Sequence, residues 1–328
     1  MTSRAATMVA PSLERIRALP GHAMRAGFVW ASHACRLERL IRRIPGSGRM
    51  VARFVAGEDL DAVMRSVATL RLQGLHTTLD VLGESVTDAG AAGAAAERYL
   101  VLLDRLAADG ADGNVSLKLT QMGLDVAPEV AAANLARIAE RASAHDAFVR
   151  VDMEDSARTS VTLDLALAQA ARTGNVGVVI QAYLQRSPED IDRANAAGVR
   201  VRLCKGAYNE PPTVALATKA EVDLAYRILA ERLLREGTYP AFATHDEALI
   251  RDIVALAARH GIAPTRYEFQ MLYGVRRDLQ ERLMAAGQTV RVYVPWGTEW
   301  YPYFMRRLAE RPANVLFLLR SLIREGRG

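Results

Sequence analysis

The chain is poor in the features that mark disulfide-rich or membrane-spanning proteins. Its 328 residues contain two cysteines, Cys35 and Cys204, which are too few and too far apart for a disulfide framework or a cysteine-rich zinc site. The longest apolar stretch near the start, around residues 26–34, is far shorter than the roughly 20 residues needed to cross a bilayer. We therefore expect a chain that suits a reducing compartment and does not cross a membrane.

A dinucleotide-binding turn of the G-x-G-x-x-G type is also missing. The segment "GSGRMV", residues 46–51, lacks the third glycine and follows no strand-like run. This absence disfavours a doubly wound sheet as the fold. A metal-dependent hydrolase is disfavoured as well, because Asp152, Asp155, His245 and Asp246 would supply one histidine among carboxylates, which is a thin ligand set. No metal is expected.

Acidic residues are scarce in the first 50 residues, which hold nine arginines against Glu14 and Glu38, although the net charge of the whole chain is only +5. A basic segment of this kind is compatible with nucleic acid, with anionic lipid, with a transit peptide and with a solvated helical surface. These interpretations stay open. We predict that residues 1–70 form a helical arm that precedes the catalytic domain.

Eight short β-branched runs recur along the rest of the chain, each followed by a helical pattern. They cover residues 75–81, 114–120, 148–153, 176–183, 198–205, 241–246, 267–272 and 290–295. Strands that alternate with helices imply parallel pairing. Eight such units are the number that closes a barrel. The predicted fold class is therefore α/β, a (β/α)8 TIM-like barrel formed by residues 71–328, with additional N-terminal helices.

Polar side chains share one face of several strands near their C-terminal ends. Strand side chains alternate, so these residues oppose the apolar sets that should face the helices. They are Lys118, Asp152, Gln181, Arg202, Gln270 and Tyr293, with Leu272 on the same face. Barrel enzymes keep their active sites at this end, and buried charges need partners or a ligand. We predict a functional cavity; the alternatives are that Lys118 only pairs with Asp152 and that Tyr293 is a core residue.

The last strand is followed by a predicted helix with one polar face. Tyr303, Arg306, Arg307 and Glu310 are spaced by three, one and three residues, which places them on that face. If the helix begins over the barrel mouth, the two arginines present planar guanidinium groups that can bind a carboxylate bidentately. The expected substrate is then a small acid. A solvated helix face is the alternative.

Several segments resemble the monofunctional bacterial proline dehydrogenases, a FAD-dependent family. The segments are "RLCKGAYNEP" (202–211), "ATHD" (243–246), "YEFQMLYGVR" (267–276) and "RVYVPWGTEWYPYFMRRLAERPAN" (291–314), with "SLKLTQMGL" and "VDMEDS" in agreement. They follow one another in collinear order. The resemblance implies a distorted (β/α)8 barrel that holds FAD over its C-terminal mouth and oxidises L-proline to Δ1-pyrroline-5-carboxylate in proline catabolism.

The resemblance also implies roles for individual residues. The residues carried over as catalytic are Lys118, Asp152, Tyr293, Arg306 and Arg307. Substrate binding would involve Lys118, Arg306 and Arg307 at the carboxylate, and Leu272, Tyr293 and Tyr303 around the ring. Cofactor binding would involve Asp152, Gln181, Arg202, Lys205, Gly206, Ala207, Thr244, His245 and Glu310. Tyr208 would support the pocket.

The resemblance finally implies partners and a location. The family passes electrons to a membrane quinone, so we expect a cytoplasmic protein with peripheral contact to the inner face of the membrane and no nucleic-acid partner. The sequence departs from the family at Cys204, where an aliphatic residue is usual, and at Asp246, where larger bifunctional relatives often carry asparagine. The alternative function is a Schiff-base aldolase-type barrel enzyme that uses Lys118 or Lys205.

Overall fold

The structure is a computed structural model that describes residue 48, residues 51–83 and residues 85–310, with the backbone alone for residues 308–310. The chain divides into two compact units, one of which is Val55–Thr298 and the other the remaining residues. Most of the predicted helical arm, residues 1–70, lies outside the described residues. Its boundary at residue 70 stays a prediction.

The unit Val55–Thr298 is built on parallel strands that close into a barrel in sequence order. The strands are β1 His76–Val81, β2 Asn114–Leu117, β3 Phe148–Val151, β4 Val176–Gln181, β5 Val201–Cys204, β6 Ala241–Ala243, β7 Glu268–Leu272 and β8 Val290–Trp296. Closure comes from β1 and β8, which place Thr78 opposite Tyr293 and Asp80 opposite Pro295. The predicted (β/α)8 barrel is confirmed, and each of the eight predicted runs coincides with one strand, although β8 extends one residue beyond its predicted run.

One helix precedes β1, and further helices connect successive strands on the outside of the barrel. They are α1 Leu60–Leu72, α2 Ala89–Ala108, α3 Pro128–Ala144, α4 Thr159–Thr173, α5 Ser187–Ala196, α6 Lys219–Glu236, α7 Glu247–Arg259 and α8 Arg277–Ala285. The helix that follows β8, α9 Trp300–Glu310, belongs to the other compact unit. Throughout the described part of the chain, the helices are too short or too polar to span a bilayer.

Local sequence signals set where the helices begin. A capping box starts α6, because Glu221 N donates to Thr218 Oγ1 at 3.2 Å and Thr218 N donates to the Glu221 carboxylate at 2.9 Å. Asp246 caps α7 by accepting from Ala248 N at 3.1 Å. Both caps lie in the loops that follow the C-terminal ends of β5 and β6.

A charged layer fills the barrel near the N-terminal ends of the strands. Arg291 Nε donates to both carboxylate oxygens of Glu268 at 3.0 Å, and its Nη1 donates to Asp112 at 2.5 Å. The Arg291 and Glu268 side chains are only 9% and 3% exposed. Burial alone would raise the pKa of Glu268, but the charge and hydrogen bonds of Arg291 outweigh it and hold that pKa below its ordinary value.

Replacing Glu268 with glutamine should destabilise the fold by about 3–5 kcal/mol at pH 7, because Arg291 then loses its most buried partner. The folded-state pKa of Glu268 is lowered from 4.5, so its stabilising charge is fully present above about pH 4.5 and is lost as the pH falls through the lowered value. Urea unfolding of both proteins at pH 7 and pH 3 measures this. A difference in unfolding free energy that stays the same at both pH values would contradict the assignment.

Candidate active site

Asp152, immediately after β3, belongs to a hydrogen-bonded network with side chains from three other strands. Arg202 Nη1 on β5 donates to its Oδ1 at 2.6 Å, and the Tyr293 hydroxyl on β8 donates to its Oδ2 at 2.8 Å. Arg202 Nη2 also donates to Ser116 Oγ on β2 at 2.8 Å. Side chains of strands that are not neighbours in the sheet can meet only inside the barrel, so these four residues point inward. The predicted inward orientation of Asp152, Arg202 and Tyr293 is confirmed.

The same cluster contains a second carboxylate and a lysine. Lys118 Nζ, one residue beyond β2, lies 3.4 Å from both carboxylate oxygens of Asp80 on β1 and 3.9 Å from Asp152 Oδ2. Burial raises the pKa of Asp80, against the lowering effect of the Lys118 charge. Burial, with Asp152 adding to it, raises the pKa of Tyr293 well above its ordinary value, so its hydroxyl remains a donor.

The loop after β5 passes close to the end of β4. Gln181 Nε2 donates to the Glu154 carbonyl at 2.8 Å, and Ala207 N donates to Gln181 Oε1 at 3.3 Å. Gly206 has a φ of 124°, and a Cβ on it would lie 2.2 Å from the Tyr183 ring. A glycine is therefore required for this close approach.

Lys205 lies in a cluster of two lysines and two aspartates. Its Nζ is 2.6 Å from Asp223 Oδ1 and 2.9 Å from Asp246 Oδ2, and Lys219 contacts both carboxylates as well. Burial alone would raise the pKa of Asp223 and of Asp246, but the Lys205 hydrogen bonds and charge outweigh it and both pKa values are lowered. The four charges balance, so the cluster as a whole is neutral.

The ends of β6 and β7 are tied together by a histidine. Leu272 N at the end of β7 donates to His245 Nε2 at 3.0 Å, so the ring must carry its proton on Nδ1 when it is neutral. Thr244 Oγ1 accepts from Asp246 N at 3.1 Å, which orders the turn that leads into α7. The backbone thus fixes both residues predicted for the cofactor, Thr244 and His245.

The structure brings most of the predicted site residues to one end of the barrel. At or just beyond the C-terminal strand ends lie Lys118, Asp152, Gln181, Lys205, Gly206, Ala207, Thr244, His245 and Leu272, while Arg202 lies inside β5, Tyr293 lies inside β8 and Tyr208 follows in the β5–α6 loop. Their chemical roles stay predictions.

The other predicted residues lie on α9, and a helix is confirmed there. Within it the Arg307 guanidinium lies 5.2 Å from the centre of the Tyr303 ring. The side chain of Glu310 lies outside the described residues. That Tyr303, Arg306 and Arg307 face the barrel mouth stays a prediction.

Three buried polar residues of the mouth, Thr78, Asp80 and Ser116, are missing from the predicted site. Thr78 Oγ1 lies 3.0 Å from Ser116 Oγ, which in turn accepts from Arg202. The signal is present in the sequence, because Thr78 and Asp80 alternate with Leu79 and Val81 on β1. The same counting that predicts an inward Asp152 predicts an inward Asp80.

The two alternative enzyme classes find less support in the geometry. The carboxylates of the alternative metal site pair with cations: Asp152 with Arg202, Asp155 with Arg158 and Asp246 with Lys205. In the described residues, no three or more His, Cys, Asp or Glu side chains are arranged to hold a metal ion. Lys118 and Lys205 are both engaged in ion pairs with carboxylates, whereas Schiff-base chemistry needs an amine that is free to attack a carbonyl.

Comparison with known proteins identifies the family. A model of the family described as "Proline dehydrogenase" matches residues 63–320. The chain belongs to the proline dehydrogenase family. This membership confirms the resemblance of its sequence motifs to these enzymes and the assignment of the chain as an enzyme of this family.

Individual proline dehydrogenases match over most of the chain. "Proline dehydrogenase 2" of Bacillus subtilis (strain 168) is 37% identical over 298 residues, which cover 91% of this chain and 98% of the relative. "Proline dehydrogenase" of Deinococcus radiodurans is 39% identical over 280 residues, with 84% and 90% covered. The crystal structure of proline utilization A (PutA) from Bdellovibrio bacteriovorus inactivated by N-propargylglycine superposes with a TM-score of 0.75 at 26% identity, over 80% of this chain and 32% of that one.

Replacing Gly206 with alanine should reduce the free energy of unfolding by about 2 kcal/mol or more, because the added Cβ adds a collision with Tyr183 to the cost of an unfavourable φ. Gly287→Ala is the matched control. Gly287 has a φ of 73°, but no atom of the described residues lies within 4 Å of the place that a Cβ would take, so only the conformational cost of about 1 kcal/mol applies. Urea unfolding of both variants provides the comparison, and equal losses would refute the steric argument.

Proposed function

We propose that this chain oxidises L-proline to Δ1-pyrroline-5-carboxylate with bound FAD and passes the electrons to a quinone. The observation that carries the proposal is the cluster of Lys118, Asp152, Arg202 and Tyr293 inside the barrel mouth of a proline dehydrogenase family member. Its cations suit an acidic substrate, and the ring of its tyrosine could pack against the ring of the substrate. The names of the relatives supply proline as the substrate.

The polar groups of the mouth fit a flavin. Arg202 Nε is buried and has no hydrogen-bond partner among the described residues, and the same is true of Gln270 Oε1. A buried donor and a buried acceptor left without partners suit a ligand that offers both kinds of group. When bound, FAD supplies the two-electron acceptor for the hydride of proline.

The cofactor would extend across the strand ends. Gln181 and Arg202 would hold its ring system, with the backbone of Gly206 and Ala207 beside it. Thr244, His245 and Lys205 would hold the ribityl, phosphate and adenosine parts. Because Lys205 is already paired with Asp223 and Asp246, it would bring an oriented ammonium group, with little surplus positive charge in its surroundings.

The chain's own residues would prepare proline for oxidation. Lys118, Arg306 and Arg307 would bind the substrate carboxylate through charge-assisted hydrogen bonds. Leu272, Tyr293 and Tyr303 would pack against the ring and exclude water. The proline nitrogen must be unprotonated to release hydride, and nearby cations disfavour its ammonium form. Arg202 would stabilise negative charge that develops beside it during the reaction.

The proposed acceptor is a membrane quinone, reached by peripheral contact at the inner face of the membrane. Support comes from the excess of arginine in the first 50 residues, which suits an anionic lipid surface. Anaerobic reduction by proline followed by stopped-flow reoxidation should show faster turnover with a quinone analogue than with dioxygen. The reverse order would remove the quinone from the proposal.

Purified protein should be yellow and should carry about one FAD per chain, because a flavin-like ligand would satisfy the unpartnered buried donor of Arg202. Absorbance spectra before and after addition of L-proline under nitrogen measure both binding and reduction. The oxidised flavin bands should bleach. A colourless preparation that takes up no FAD would defeat the proposal.

Arg306→Met and Arg307→Met should each raise the proline KM by about tenfold or more with little change in flavin content, because each removes a charge-assisted hydrogen bond to the carboxylate. Arg193→Met is the matched control, since Arg193 pairs with Asp164 on the protein surface. Steady-state kinetics and flavin absorbance are the measurements. Equal loss of flavin and proline affinity would instead assign the pair to the cofactor.

A further inference from the structure

Two carboxylates and two cations share the interior of the barrel mouth, and they are divided into two pairs. Arg202 Nη1 lies 2.6 Å from Asp152 Oδ1. Lys118 Nζ lies 3.4 Å from both oxygens of Asp80 but 3.9 Å from Asp152 Oδ2. The Asp80 side chain is 1% exposed, so its charge is directed wholly at its protein neighbours.

Asp152 is already engaged on both oxygens, by Arg202 on one and by the Tyr293 hydroxyl on the other. A lysine that approached Asp152 more closely would compete with Tyr293 for Oδ2. Attraction between unlike charges inside a protein is strong enough to draw the two groups together when nothing opposes it. Asp80 supplies a competing attraction here, since both of its oxygens lie 3.4 Å from Lys118 Nζ, nearer than Asp152 Oδ2 at 3.9 Å.

We propose that Asp80 is a positioning residue, which keeps Lys118 from moving closer to Asp152. The lysine is then placed to bind the substrate carboxylate, while Tyr293 and Arg202 keep their hydrogen bonds to Asp152. The inference rests on the proposed function, because it assigns Lys118 to a carboxylate substrate. It adds a residue on β1 to a site otherwise built from later strands.

The surroundings of Asp80 favour this division of charges. Lys118, just after β2, contacts the Asp80 carboxylate, and the Tyr99 hydroxyl on α2 lies 3.5 Å from it. The charge of Asp152, just after β3, and the hydroxyl of Tyr293 on β8 also act on Asp80. The Tyr99 hydroxyl is nearer to the Ser116 carbonyl, at 2.8 Å, and to Gln121 Oε1, at 3.3 Å. Within the described residues, the cation that contacts Asp80 is therefore Lys118.

The experiment compares Asp80→Asn, Lys118→Met and the double variant in the flavin-loaded full-length enzyme. Asp80→Asn keeps the shape of the side chain but removes its charge. We expect it to raise the proline KM by about tenfold or more, with kcat changed less than about threefold and flavin content unchanged. Calorimetric affinity for cyclopentanecarboxylate, which has the carboxylate of proline but no amine, should fall by a similar factor. Asp164→Asn, at an exposed pair with Arg193, is the control and should change neither quantity.

The double variant separates positioning from any independent role of Asp80. If Asp80 acts through Lys118, the double variant should have the KM of Lys118→Met alone, within about threefold. If the proline KM of the double variant rises by the product of the fold-increases in the two single variants, the proposal is overturned. An Asp80→Asn enzyme with the KM of the wild type would overturn it as well.

Thermal unfolding supplies a readout that needs no turnover. Asp80→Asn removes the carboxylate that lies nearest to Lys118 among the described residues, so the Tm of this variant should fall, and adding Lys118→Met should recover part of that loss. If Asp80→Asn is too unstable to purify, the double variant still tests the proposal through its Tm and KM. A double variant less stable than both single variants would contradict the pairing. A wild-type enzyme that neither oxidises proline nor binds cyclopentanecarboxylate would instead refute the proposed function, and this substrate role with it.

Discussion

The buried ion pair between Asp152 and Arg202 is the interaction on which the rest of the mouth depends. Its atoms are 2.6 Å apart and its side chains are 11% and 6% exposed. An unpaired charge at this depth would cost several kcal/mol, so the carboxylate must be met by donors from other strands. Closure of the barrel meets this requirement, because it brings β5 and β8 to the same point as β3. The site therefore depends on the fold being closed.

Charge pairing also explains how the barrel tolerates so many polar residues inside. Near the N-terminal strand ends, Glu268 and Arg291 satisfy each other, and nearer the mouth Asp80 and Lys118 lie beside the Asp152 pair. The lower layer contains no residue of the predicted site, whereas the upper layer contains Asp152, Arg202, Lys118 and Tyr293, for which we propose a ligand.

Much of this arrangement could be predicted from sequence, and the remainder could not for physical reasons. Runs such as the one containing Val149 and Val151 mark strands, and alternation within them predicts that Asp152 and Arg202 face inward. Alternation gives the face of a strand but not the partner, so the pairing of Lys118 with Asp80 depends on register and barrel closure. Likewise, Asp223 reaches Lys205 from α6, a helix whose packing no local pattern specifies.

The Asp152→Asn variant gives the most direct test of the claim that this carboxylate organises the site. Asparagine keeps the size of the side chain but removes the charge that holds Arg202, a loss of about 3 kcal/mol or more for a buried pair. The measurement is kcat/KM for proline together with the flavin absorbance spectrum. We expect kcat/KM to fall by about a hundredfold or more and the flavin bands to shift. Activity within about threefold of the wild type, with an unchanged spectrum, would contradict that role of Asp152.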